Sequence, residues 1–170
     1  MVTKHSWTVI AGLVTLLILG ACNSGSAPTP AAAGDTGVQS AIDQYIGETG
    51  TIHSPADVLT TKVQVTGTTQ AYALTGGTPP CPGYVNTAPS YVFDVAAALG
   101  TLTISFAGSG DATLATVTPT GDILCGDAAT SGLKPVQEIA TPGQGRYAVW
   151  VGRIQMAEEL AGTLEVRSAP

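Results

Sequence analysis

Any nucleophilic, metal or acid–base chemistry in this 170-residue chain must come from a small set of side chains: three cysteines (Cys22, Cys81, Cys125), two histidines and 12 acids. Serine hydrolysis needs a nucleophile touching a base that an acid orients. His53 and Ser54 are adjacent in the stretch IHSPAD, residues 52–57, but sequence neighbours rarely assemble a triad, and His53 reads as an exposed loop residue. Gly108-Ser109-Gly110 reads as a turn and lacks the strand–elbow–helix setting of a hydrolase nucleophile. No pair of carboxylates sits in a recognisable glycosidase setting, and aromatic residues for a sugar subsite are scarce. Neither a phosphate-binding glycine loop nor a metal-binding histidine spacing is present in the sequence. The chemistry on offer is therefore covalent use of the cysteines, and the expectation is a noncatalytic protein.

The first cysteine has a specific setting. Lys4 precedes an apolar run from Val9 to Leu19, followed by small residues, in the order of a secretory signal. The run is shorter than the roughly 20 residues a spanning helix needs. Leu19-Gly20-Ala21-Cys22 resembles the lipobox of bacterial lipoproteins. That resemblance implies a signal peptide over residues 1–21, cleavage before Cys22, and lipid on that cysteine as the membrane anchor. Each buried methylene contributes about 0.8 kcal/mol, so two or three acyl chains hold firmly where one does not. By analogy with lipoprotein sorting, Asn23 after the cysteine favours the outer membrane where the cell has one, on its periplasmic side or at the cell surface.

With Cys22 assigned to lipid, Cys81 and Cys125 remain as a pair, and an exported chain invites a disulfide between them. Such a bond closes a loop of about 44 residues, worth roughly 4 kcal/mol by chain entropy. Zinc is the rival use, but two cysteines without neighbouring histidines fall short of four ligands. The formal charge of −6 disfavours nucleic acid, whose phosphates require a cationic face. It equally disfavours electrostatic docking on anionic lipid.

The elements that position these residues follow from composition and period. Residues 22–37 hold almost no large apolar side chains and read as a flexible tether. Over residues 38–61 a short helix or extended lead-in is expected, with Val38, Ile42, Tyr45 and Ile46 at helical spacing. Residues 62–170 turn to period two. Leu102, Ile104 and Phe106 oppose Thr101, Thr103 and Ser105; Tyr91, Phe93 and Val95 oppose Val92, Asp94 and Ala96. Tyr147, Val149 and Val151 oppose Arg146, Ala148 and Trp150, and Leu164 and Val166 alternate with Thr163, Glu165 and Arg167. Weaker candidates are 62–66, 112–117, 122–125 and 135–139. Short alternating strands separated by Gly and Pro turns predict an all-β fold, an antiparallel β-sandwich preceded by a short helix.

The runs Pro89–Phe93, Leu99–Leu114, Cys125-Gly126-Asp127 and Gly145–Gly152 together resemble the bacterial pre-peptidase C-terminal domain and its free-standing relatives. The resemblance covers roughly residues 85–167. It implies a jelly-roll-like sandwich with a noncatalytic role in contacting a protein or glycan of the cell envelope. It also implies calcium as a cofactor candidate, since some relatives bind it through carboxylates and loop carbonyls. The ligand candidates here are Asp111 and Asp127, with Asp122 as a third; Gly126 stands where relatives often carry a further acid. Asp in a Gly-rich turn has an alternative use in bonding the local backbone. A contact patch of Arg146, Trp150 and Arg153 is the remaining candidate. If Tyr147, Val149 and Val151 line the core, Trp150 points to the opposite sheet face; the reverse phase puts Trp150 inside.

Overall fold

A computed structural model of the chain describes residues 35–74, 81–127 and 134–170. The signal, the lipobox with Cys22 and most of the tether lie outside the described residues. Among those described, no helix is long and apolar enough to cross a membrane.

The chain begins with a helix, α1 (Asp35–Asp43), then strands β1 (Thr49–Ile52), β2 (Val58–Val65) and β3 (Thr69–Gln70), and a single helical turn, α2 (Ala71–Leu74). There follow β4 (Tyr84–Val85), β5 (Tyr91–Val95), β6 (Thr101–Gly108), β7 (Ala112–Val117) and β8 (Ile123–Asp127). The last strands are β9 (Val136–Ala140), β10 (Gly145–Arg153) and β11 (Leu160–Ala169). Two sheets pack face to face as a sandwich. The four-stranded sheet runs β2-β11-β6-β9, antiparallel throughout. In the seven-stranded sheet β10 is the hub: β5 pairs with its first half, β7 with its second, β4 with its last two residues, and β8 extends beyond β7. One pair departs from the antiparallel expectation, since β1 lies parallel to β5. Strands β1 and β2 both begin within residues 38–61, so this stretch supplies an edge to each sheet.

The period-two readings of β5, β6, β10 and β11 hold residue by residue. Leu102, Ile104, Phe106, Leu164 and Val166 join Phe93, Tyr147 and Val149 in one core between the sheets. Phe93 stacks on Tyr147 with ring centroids 5.3 Å apart, and Tyr91 lies 6.1 Å from Phe93. Burial of each such side chain contributes about 1.5–3 kcal/mol. Helix α1 ends earlier than the helical spacing of Val38, Ile42, Tyr45 and Ile46 suggests. Val38 and Ile42 are buried, but the helix stops at Asp43 and Ile46 is fully exposed.

A second apolar cluster lies on the outward face of the seven-stranded sheet. Val92, Ala115, Val117, Ala148 and Trp150 pack there with Val38 and Ile42 of α1, Ala71 and Cys81. Cys81 and Cys125 are joined in a disulfide with a Cα–Cα distance of 5.3 Å, inside the usual range for such bonds. It ties the segment before β4 to β8 at the margin of this layer.

Candidate functional site

Ser54, His53 and Asp57 do meet, but as a turn and not as a triad. Asp57 Oδ2 accepts from the His53 amide at 2.7 Å and the Ser54 amide at 2.9 Å, and Oδ1 accepts from the Ser54 hydroxyl at 2.7 Å. It is the His53 main chain, not its imidazole, that donates. The Ser54 hydroxyl, then the two amides, hold the Asp57 carboxyl below the usual carboxylate range. The arrangement fixes the β1–β2 turn, in which Ala56 takes a positive φ of 92°.

Of the acids named as calcium candidates, Asp127 pairs through its main chain with Thr113, two residues from Asp111, whereas Asp122 stands apart from Asp111. Asp111 sits before β7 and Asp122 after it, on turns at opposite ends of that six-residue strand. At about 3.3 Å per residue the strand spans roughly 20 Å. Asp122 accepts from the Thr120 hydroxyl at 2.7 Å while its amide donates to the Thr118 hydroxyl at 3.1 Å, which is the local turn bonding that Asp commonly supplies. The side chain of Asp127 lies outside the described residues. Among the described residues no three His, Cys, Asp or Glu side chains converge as a metal site would require.

The three residues of the candidate contact patch go to different environments. Trp150 is on the outward face of its sheet, as the Tyr147 phase requires, yet only 1% exposed, because α1 and the disulfide segment cover that face. Arg153 is buried too. Its Nη1 donates to the Glu158 carbonyl at 2.6 Å and its Nη2 to the carbonyls of Thr66 and Gly67 at 3.2 and 3.0 Å. Arg146 alone is exposed, 3.4 Å from Asp94. The patch is thus not formed: a third layer of chain lies over its tryptophan, and its second arginine is consumed in holding two loops.

Among the described residues, two surface grooves bear on binding. One, between α1 and the β7–β8 turn, has polar walls already bonded within themselves: Gln39 to Asp43 at 2.9 Å, Gln44 to Ser40 at 2.6 Å, and Thr120 to Asp122. The other, about 540 Å³, lies where the edge strands β1 and β2 approach. One wall is the segment leading into β1, with Tyr45, Gly47 and Glu48. The other is Thr60, Thr61 and Lys62 of β2 with Thr163 of β11, and Ser90 closes one side. Tyr45 donates its hydroxyl to the Glu48 carbonyl at 3.1 Å, and Lys62 Nζ donates to Thr163 Oγ1 at 2.7 Å. Burial, then Tyr91 and Glu48, raise the Tyr45 hydroxyl; burial, then Glu48, raise that of Tyr91. Both phenols therefore stay protonated as donors, and the Glu48 carboxylate takes no ion pair among the described residues. This wall combines donors, hydroxyls, one cation and one uncommitted anion, a set that binds polar ligands.

In the sequence these groove residues carry no functional signal; Tyr45 reads as a helix position and Thr163 as a strand position. They come from four separate stretches of chain and form no motif.

No family model and no curated protein matches the chain. Among solved structures, it is similar to the periplasmic inhibitor of g-type lysozyme from Aeromonas hydrophila, at 16% identity and a TM-score of 0.41. That match covers 71% of this chain and 95% of the inhibitor. It is also similar to the pre-peptidase C-terminal domain of collagenase from Bacillus anthracis, at 17% identity and a TM-score of 0.37, over 71% of this chain and 94% of that one. The latter is the domain type that the sequence motifs resemble.

Proposed function

We propose that this protein is a noncatalytic, lipid-tethered β-sandwich that contacts a protein or glycan at the cell envelope. The observation that carries the reading is the groove between β1 and β2, lined by Glu48, Thr60, Thr61 and Ser90 at an open edge of the sandwich. The Ser–His–Asp cluster supports the noncatalytic part, because it is the His53 amide and not its imidazole that donates to Asp57, beside the amide and hydroxyl of Ser54. Envelope location and anchoring rest on the signal and on Leu19–Cys22.

The test is chemical cross-linking of the tagged full-length chain in its native envelope, with mass spectrometry of the products. Cys22→Ala provides a released control and Glu48→Lys a groove control. One dominant product that is weakened by both changes supports the reading. A product indifferent to Glu48→Lys moves the contact to another face, and no product above the released control counts against an envelope contact.

A further inference from the structure

The edge of β2 narrows the ligand class. In an antiparallel ladder, alternate residues turn their main-chain groups toward the partner strand and away from it. The Asp57 carbonyl accepts from the Ser168 amide of the β11 side at 3.1 Å, whereas the Gln64 carbonyl accepts from Asn86 Nδ2 at 3.0 Å. Odd-numbered residues of β2 therefore face β11, and Val58, Thr60, Lys62 and Gln64 face outward. Asn86 ends that open edge: besides binding Gln64 it accepts from the amides of Thr66 and Gly67 at 3.2 and 2.6 Å. Val58, Thr60 and Lys62 are left with no main-chain partner on that side among the described residues. The groove opens along Thr60 and Lys62, with Tyr45, Gly47 and Glu48 opposite.

We infer that the groove takes an extended basic peptide of another protein, which adds to the free edge of β2 as a fifth strand and sets a lysine or arginine against Glu48. This rests on the groove being the binding site. An unpaired strand edge is a template for an extended chain, main-chain bonds supplying affinity and side-chain pockets specificity. Charge selects the partner. Glu48 is the uncommitted charge in the groove, Lys62 is already held by Thr163, and the chain carries a net −6. A second copy of the same acidic chain would be repelled, and a lysine on the strand is a common guard against self-pairing.

The test uses the full-length Cys22→Ala chain, immobilised and panned against a phage-displayed library of linear peptides. The best binder is then synthesised with and without N-methyl groups on alternate amides. Enrichment of Lys- or Arg-bearing sequences is expected, with affinity falling roughly tenfold or more on N-methylation, which removes main-chain hydrogen bonds. Thr60→Pro removes one outward N–H and leaves the bonds to β11 intact, so it lowers affinity similarly; should it fail to fold, the N-methylated peptide on the unaltered chain gives the same answer. Glu48→Lys reverses the preference toward acidic peptides. Binders indifferent to N-methylation overturn the strand-addition inference while leaving the groove reading intact. So does a glycan array hit abolished by Glu48→Lys when panning returns nothing. If neither peptide nor glycan binds, the groove reading falls with it.

Discussion

The outward face of the seven-stranded sheet is roofed by α1 and the disulfide-linked segment, whereas that of the four-stranded sheet meets solvent. Both sheets turn alternate apolar side chains to the shared core, so the difference lies in the other half of each strand. On β5, β7 and β10 that half is mostly apolar, with Val92, Ala115, Val117, Ala148 and Trp150, and Asp94 and Arg146 pair with each other at one end. On β6 and β11 it is Thr101, Thr103, Ser105, Thr163, Glu165 and Arg167, and there Arg167 pairs with Glu165 at 2.7 Å. A strand apolar on both faces must be covered on both; a strand that alternates needs one cover only. The third layer on this sandwich is a consequence of side-chain type, not of strand geometry.

The comparison can be broken most sharply at Trp150. Trp150→Ala is expected to cost about 3–5 kcal/mol, as truncation of a buried aromatic does, measured from the urea midpoint. Thr103→Ala on the open face should stay within about 0.5 kcal/mol. Equal losses would mean that the roof contributes nothing. Replacing Cys81 and Cys125 by serine should cost roughly 2–4 kcal/mol in the same assay, and undiminished stability would dismiss the bond as a fastener of that layer. Next comes Arg153→Lys, in which a point charge replaces a fork bonded to three carbonyls. A loss of about 1–3 kcal/mol is expected, with faster amide exchange at Gly67 and Glu158 as the specific readout.

The smallest effects belong to the solvent-facing carboxylates. Asp57 is held below its usual range first by the Ser54 hydroxyl, and Glu165 first by its hydrogen bond from Arg167. A carboxyl depressed in the folded state contributes stability above its unfolded value and loses it as pH falls through the folded value. Stability should therefore decline in acid below the ordinary carboxylate range, and Asp57→Asn should flatten that decline in urea titrations. An unchanged pH profile in the Asn variant would show that the turn is held by its main chain alone.

Much of this was legible along the chain. The alternation of β6 and β11 assigns inside and outside without reference to any other residue, because side chains of a strand change face at each step. The Cys81–Cys125 pair followed from the number of cysteines left once Cys22 was given to lipid. The run GRYAVWVG also held the signal for a roofed sheet, since Ala148, Val149, Trp150 and Val151 are continuously apolar, but it reads equally as one core face plus an exposed contact patch. Nothing local decides between a tryptophan that meets a partner and one that meets α1.

Period and residue type thus determined the strands from β5 onward and the sandwich they form, because those properties repeat within a few residues. Tertiary structure alone decided that α1 folds back over Trp150, that Arg153 is spent on the carbonyls of Thr66, Gly67 and Glu158, and that Glu48 faces the open edge of β2. Each depends on which surfaces remain uncovered after the sheets have paired.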